Sequence, residues 1–270
     1  MAYEHILFAE TDGVATLTIN RPERMNALHV GVIAEMIDAV DRVRDSAESG
    51  GTARVLVLTG TGRAFCSGAD LAGGGAGGGA TSAGPPDAGK VLETHFNPLL
   101  ERLFALPVPF ITVVNGVAAG AGCSYALAGD IVIAAKSAYF LQAFVNIGLV
   151  PDVGSTWLLP RLVGKARAQA MMMLGERIPA ETAQDWGMIY KVVDDADLAS
   201  VAAAIAAKLA VGPTRSYALI RQGVRDSLDL SLTEALMTER RNQLKAGRTA
   251  DFAEGVTAFL QKRPTAFTGK

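Results

Sequence analysis

The sequence predicts an α/β fold with parallel strands, followed by a helical C-terminal part. Three observations carry this reading. Short β-branched runs alternate with helix-period segments through the first two thirds of the chain. Two of the strand-like runs end in small residues where a helix begins, as crossovers between parallel strands do. After residue 155 the pattern is helical apart from "MIYKVV", 188–193.

The elements follow in order. "HILFAE" and "GVATLTIN" alternate in polarity around "TDG", which predicts a hairpin. Residues 29–48 change period: Ile33, Met36, Ile37, Val40 and Val43 share one helical face, with Glu35, Asp38, Asp41 and Arg42 opposite. "RVLVLTG", 54–60, is an apolar run closed by glycine and reads as a buried strand. A helix over 90–106 and the strand "FITVVNG" come next, then a helix with a small-residue start in "AGAGCSYALAGD". "IVIAA" and "AYFLQA" are further strands. Helices are expected at 155–162, 164–174, 180–186, 196–210, 213–228, 231–246 and 250–262. The organisation that results is a core over 1–195 and a helical region over 196–270. Amphipathic helices such as 201–210, with no further sheet to cover, point to packing on a neighbouring subunit. A monomer whose terminal helices fold back on their own core is the competing expectation.

Composition narrows the function classes. The chain has 270 residues, half of them hydrophobic and 19% charged, with a formal net charge of −2. That excludes the basic stripe of a nucleic-acid binder, and 6% aromatics leaves few stacking platforms for bases. Cys66 and Cys123 alone make no disulfide framework and no C-x-x-C metal site. His5, His29 and His95 are scattered, so no metal is expected. No uncharged apolar run reaches the ~20 residues of a membrane span, and the N-terminus lacks a signal-peptide pattern. A cytoplasmic location is the expectation. "GGGAGGGATSAGPPDAG", 73–89, is low in complexity and reads either as a tolerated surface insertion or as a flap beside a site.

Nucleotide and hydrolase motifs fail. The dinucleotide fingerprint would need glycine at Phe65, no Gly-Lys-Ser/Thr occurs, and there is no G-x-S-x-G elbow. What remains are two small-residue turns, "FCSGADL" and "VAAGAGCSYAL", each following a strand. Unpaired N–H groups at such turns, aimed together at one oxygen, make an oxyanion hole. Taken singly, each turn also reads as a device for close helix–strand packing.

In combination the motifs are specific. "RPERMNAL", "GRAFCSGADL", "VNGVAAGAGCSYALAGDIVIA" and "GLVPDVGSTWLLPRLVGKARA" occur in that order. Across essentially the whole chain this resembles the crotonase, or enoyl-CoA hydratase/isomerase, superfamily. The stretches 148–164, 186–195 and 255–270 look most like its branch that isomerises the ring epoxide of an aromatic acyl-CoA in bacterial phenylacetate breakdown. The resemblance implies a crotonase-like spiral of ββα units with C-terminal helices that build a homotrimer or a dimer of trimers. It implies an acyl-CoA thioester as substrate and no cofactor beyond its CoA moiety. The thioester oxygen would sit between the N–H groups of Ala69 and Ala121, where hydratases usually carry glycine at the second position. CoA would lie along 64–71, touching Ala64, Ser67, Gly68, Ala69, Asp70 and Leu71, with Arg24 on a phosphate. Asp70 would cap the following turn. Phe259 and Lys262 would cover a neighbour's adenine.

One departure stands out. Where hydratases of the superfamily carry two glutamates, this chain has Ser124 and Phe144. Water addition needs one group to activate water and one to protonate carbon, and this pair supplies neither. Asp152 stands where isomerases of the superfamily keep an acid/base aspartate. It also reads as an N-cap for the helix starting near Ser155. The expected function is an acyl-CoA isomerase. The alternatives are a hydratase working through Asp152 or a Ser124-held water, and a non-catalytic acyl-CoA-binding scaffold.

Overall fold

The computed structural model describes residues 3–72 and 87–270; the expectation of a lid or insertion at 73–89 falls almost wholly outside them. The chain begins with the antiparallel hairpin β1 (Ile6–Thr11) and β2 (Val14–Ile19), turned at Asp12–Gly13 with both residues at positive φ. Helix α1 (Val30–Glu48) follows, capped by the His29 ring, which accepts from the Gly31 N–H. Its buried face is Val32, Ile33, Met36, Ala39, Val40 and Val43; Ile37 is only half-buried.

The next segment repeats one unit three times. A strand enters a large sheet, a short strand enters a small sheet, and a helix returns. The first unit is β3 (Val55–Gly60), β4 (Ala64–Cys66), a helical turn α2 (Ala88–Val91), a π-turn Leu92–Phe96 and α3 (Asn97–Ala105). The second is β5 (Phe110–Val114), β6 (Val117–Ala119) and α4 (Ala121–Leu127). The third is β7 (Ile131–Ala135), β8 (Tyr139–Leu141) and α5 (Ser155–Leu174). Then come β9 (Arg177–Pro179), α6 (Ala180–Asp185) and β10 (Lys191–Val193).

The large sheet has the order β1-β2-β3-β5-β7-β10, parallel from β2 onward. The small sheet has the order β4-β6-β8-β9, parallel except for β8 against β9. Their strands read as continuous apolar runs because both faces are covered, and β3, β5 and β7 are buried almost throughout. The strands β4, β6 and β9 were not among the expected elements. Three residues are too few to show an alternation, and in β9 only Ile178 is buried. The expected helices 155–162 and 164–174 form one run, α5, broken at Gly164, whose φ of 77° is non-helical.

Four helices complete the chain: α7 (Leu198–Ala210), α8 (Thr214–Ser227), α9 (Leu232–Ala246) and α10 (Ala250–Gln261). Here the structure revises one expectation. Helix α7 lies against β2, β3, β5 and β7, burying Ala202, Ala206 and Ala210. The "VAAAIAAKLA" face therefore covers this chain's own sheet, and α7 packs with the core rather than with the helices after it. Among the described residues, α8, α9 and α10 present broad uncovered apolar faces.

Candidate active site

The two small-residue turns lie side by side at the ends of adjacent strands β4 and β6. The first leaves β4 through Gly68, whose φ of 96° suits glycine alone. A Cβ at Gly68 would stand 3.0 Å from the Ala119 carbonyl oxygen. The second leaves β6 through Gly120, φ 52°, where an added Cβ would lie 3.8 Å from the Gly68 Cα. Among the described residues, no acceptor takes the N–H of Ala69 or of Ala121. Both residues line one cavity of about 540 Å³, together with Asp152. Two free amides and a carboxylate thus share a single concave site.

The first turn is held from behind by "RPERMNAL". Met25 and Asn26 both adopt positive φ, and the buried Asn26 amide pins the bend. It accepts from the Arg21 N–H (2.9 Å) and donates to the carbonyls of Thr61 (2.9 Å) and Ala64 (2.7 Å). Leu28 then brackets Ala69: its N–H donates to the Gly68 carbonyl, and its carbonyl accepts from the Asp70 N–H, both at 2.8 Å. The Arg21 guanidinium pairs with the Asp70 carboxylate at 3.1 Å in a largely buried contact. Asp70 is therefore held from behind by Arg21 and points away from any role as an acid or base. Sequence reading singled out neither Arg21 nor Asn26; the two positive-φ residues that make their motif a tight turn were the missed signal.

Asp152 sits in a turn between Phe144 and α5. Val153, a β-branched residue, follows it at φ 46°, and Gly154 at φ 74°. A β-branched residue there costs about 1–2 kcal/mol and persists only where its surroundings enforce it. The N-cap of α5 is Gly154, with no side-chain hydrogen bond, so the capping role open to Asp152 is not the one it plays. Its Oδ1 is buried and has no partner among the described residues. The cavity walls near it are apolar, with Phe96, Phe144, Leu149 and Val150, and among the described residues no other charged side chain lines the space. Burial pushes the Asp152 carboxyl up from 3.8 to about 7.

Ser124 and Phe144 take different places. Phe144 is buried and lines the cavity, with its ring edge 3.7 Å from where a Gly120 Cβ would be. Ser124 is fully buried and does not line the cavity. Its hydroxyl lies 2.6 Å from that of Ser155 and 3.2 Å from the Asp152 carbonyl.

The expected CoA contacts divide. Ser67, Gly68, Ala69 and Leu71 line the cavity. Arg24 is exposed beside its mouth, and its carbonyl accepts from the Ser67 hydroxyl at 3.5 Å. Ala64 is fully buried in β4, and its carbonyl is taken by Asn26 and Asn115. It supports the turn from beneath rather than forming a wall, which corrects its placement as a contact. Phe259, 82% exposed, and Lys262, at the end of α10, do not line this cavity. A larger opening of about 690 Å³ lies between α8 and α9, but it brings together no free amides or carboxylate of this kind.

Among the described residues no three His, Cys, Asp or Glu side chains cluster as metal ligands. The thiols of Cys66 and Cys123 are buried, and desolvation pushes both up to about 12, so neither is a nucleophile at neutral pH. No single described helix is long and apolar enough to cross a membrane.

Comparison with known proteins agrees with this geometry. Residues 9–270 match the family described as Enoyl-CoA hydratase/isomerase. The chain is 48% identical over 268 residues to a 1,2-epoxyphenylacetyl-CoA isomerase of Escherichia coli, covering 99% of each. It is 45% identical over 270 residues to a probable enoyl-CoA hydratase of Rhodobacter capsulatus, covering 100% of each. The structure of a putative enoyl-CoA hydratase from Streptomyces coelicolor superposes with a TM-score of 0.90 at 32% identity, over 100% of this chain and 96% of that one.

Proposed function

The chain belongs to the enoyl-CoA hydratase/isomerase family, and from that premise we propose that it is an acyl-CoA isomerase working through one carboxylate. The observation that supports this is the unpartnered Asp152 oxygen in an apolar cavity shared with the Ala69 and Ala121 amides.

The chemistry follows from what these groups can do. Asp152 as carboxylate removes a proton from carbon next to, or conjugated with, the thioester. The electron pair moves onto the thioester oxygen, where the two backbone N–H groups meet the new charge. The protonated Asp152 then returns the proton to a different carbon. Nothing is added or lost, so the product is an isomer: a shifted double bond or, where the C–C bond shared by a ring and its epoxide also opens, an oxepin carrying the moved proton on a ring carbon. A carboxyl near 7 suits both directions of transfer at neutral pH. Phe144 and the surrounding apolar wall keep water from the reacting carbons.

The substrate is an acyl-CoA thioester whose CoA portion runs past Ser67, Gly68, Asp70 and Leu71 with Arg24 on a phosphate. In the assembled protein, Phe259 and Lys262 of one subunit cover the adenine of the next. The hydratase relative gives the second reading its footing, but two features here count against water addition. No second carboxylate lines the cavity among the described residues, and the Ser124 hydroxyl is engaged outside it.

The test is Asp152→Asn, assayed with a 3-enoyl-CoA and with crotonyl-CoA by the absorbance of the conjugated thioester. Wild type is expected to create absorbance from the first and leave the second unchanged. The variant should lose about 10²–10⁴-fold of that turnover while retaining thioester affinity. Near-full turnover would refute the role of Asp152. Rapid loss of the crotonyl-CoA signal would establish hydration instead, and thioester binding with no reaction on either compound would mark a scaffold.

A further inference from the structure

Behind the cavity, three buried polar side chains form a chain that the proposed mechanism leaves unused. Gln142 follows β8, Ser155 opens α5 and Ser124 lies in α4; all three are essentially inaccessible to solvent. The Gln142 amide donates to the Ser155 hydroxyl oxygen at 3.1 Å. The two serine hydroxyls are 2.6 Å apart. With Gln142 donating into Ser155, and Ser155 into Ser124, the one Ser124 proton is left for a carbonyl. Two are in reach: Asp152 at 3.2 Å and Gly120 at 3.4 Å. The Asp152 carbonyl also accepts the Ser155 N–H at 3.0 Å.

We infer that the Ser124–Ser155–Gln142 chain is a positioning device that holds the Asp152 turn at a set distance from the Ala121 amide. The inference rests on the reading of Asp152 as the acid/base group. The geometry supports it in three ways. The Ser124 hydroxyl stands between the carbonyl preceding the Ala121 amide and the carbonyl of Asp152 itself, so it ties the two halves of the site. The turn it holds contains Val153 in a strained conformation, which needs enforcement from outside. With Ser155 as the donor to Ser124, the arrangement that leaves the Ser124 proton for a carbonyl, the hydrogen bonds run one way to the Asp152 backbone, so each strengthens the next in a water-free interior. An apolar cluster of equal size would fill the same space without fixing that carbonyl.

The consequence is readable in pH. Among the described residues, the Asp152 carboxyl faces an apolar wall with no other charged side chain lining it, and its charge acts on the buried Tyr125 of α4. The Tyr125 hydroxyl donates to the Phe96 carbonyl, and burial holds it un-ionised. Loosening the turn lets the carboxyl reach solvent, so its pKa falls towards the ordinary aspartate value.

The test uses Ser124→Ala, Ser155→Ala and the double variant in the full chain, with Asp152→Asn alongside. Each single variant is expected to lower kcat about three- to tenfold with KM within about twofold. The acid limb of the kcat profile should move to lower pH by about half a unit or more. The double variant should be no worse than the weaker single one, because one chain is broken only once. An unmoved acid limb, multiplicative losses or a change in KM alone would overturn the inference. If a serine variant fails to fold by circular dichroism, Gln142→Leu removes the first donor, and the same limb shift is required of it. An inactive Asp152→Asn beside serine variants with the wild-type limb sinks the positioning role alone. An active Asp152→Asn sinks the underlying reading.

Discussion

Asp152 shows how one residue's surroundings decide what a carboxylate is for. Asp70 is paired with Arg21, whereas Asp152 has a buried, unpartnered oxygen. The difference has a thermodynamic signature. The folded chain keeps a proton on Asp152 up to about pH 7, whereas the unfolded chain releases it near 3.8. The contribution to stability is therefore fully present below the unfolded value and is lost as pH rises through the folded one. Asp152→Asn removes this loss, so its stabilising effect grows with pH. At about 1.4 kcal/mol per pKa unit the ceiling is roughly 4 kcal/mol above pH 7, falling towards zero near pH 4. Denaturant unfolding at pH 5 and pH 8 checks it: the variant should gain more at pH 8, and a pH-independent gain would contradict the burial of the carboxyl. A site that destabilises its own fold is what an acid/base group held in an apolar wall requires.

At the scale of elements, the oxyanion amides depend on β4 and β6 being neighbours. Each strand ends in a glycine at positive φ, and the two glycine turns touch. Gly68→Ala would place a Cβ 3.0 Å from the Ala119 carbonyl while holding alanine at an unfavourable φ. Either the turn shifts or β6 does, and the Ala69 and Ala121 amides no longer converge. The expected result is a loss of about 10²-fold or more in kcat/KM, the order seen when one oxyanion donor is removed. Thermal denaturation run in parallel separates this from unfolding; full activity in a folded Gly68→Ala would show that the two turns do not set the amides. Asn26 acts on the same turn from the other side. Its amide satisfies two carbonyls at the Thr61 and Ala64 ends of the β3–β4 bend. Removing it leaves the Thr61 carbonyl without this donor and the Ala64 carbonyl to Asn115 alone, at about 1–3 kcal/mol in all.

For the whole molecule, the uncovered apolar faces belong to α8, α9 and α10. Ile220, Val224, Leu236, Met237, Phe252, Phe259 and Leu260 are all more than half exposed. A contiguous set of this kind is unusual on a monomer and fits a neighbour of the same chain. Helix α7 is excluded from this surface because it covers the large sheet. The expected assembly is a trimer or a dimer of trimers, and light scattering at micromolar concentration measures it. A particle of 28.1 kDa would refute assembly and leave Phe259 and Lys262 without a neighbour's site to complete. Within an assembled protein, Phe259→Ala should weaken acyl-CoA binding while leaving turnover at saturation unchanged, since the residue lies outside the Asp152 cavity.

The sequence by itself determined the alternation of strands and helices, the two glycine turns and the isolated carboxylate at Asp152. These are legible because periodicity, glycine and unpaired charge are local properties of a chain. Only the tertiary structure decided the rest. The strands β4, β6 and β9 are only three residues long, so no pattern marks them, and they exist because neighbouring strands satisfy their backbones. That Asp152 caps no helix and keeps an unpartnered oxygen turned on what lay opposite its side chain. The burial of Ala64 and the packing of α7 on the sheet turned on what lay opposite them. The chain Gln142–Ser155–Ser124 spans three elements and ends on a backbone carbonyl. No spacing in the sequence encodes it, because a hydrogen bond between distant segments is a property of the distance that folding brings to zero, not of either residue alone.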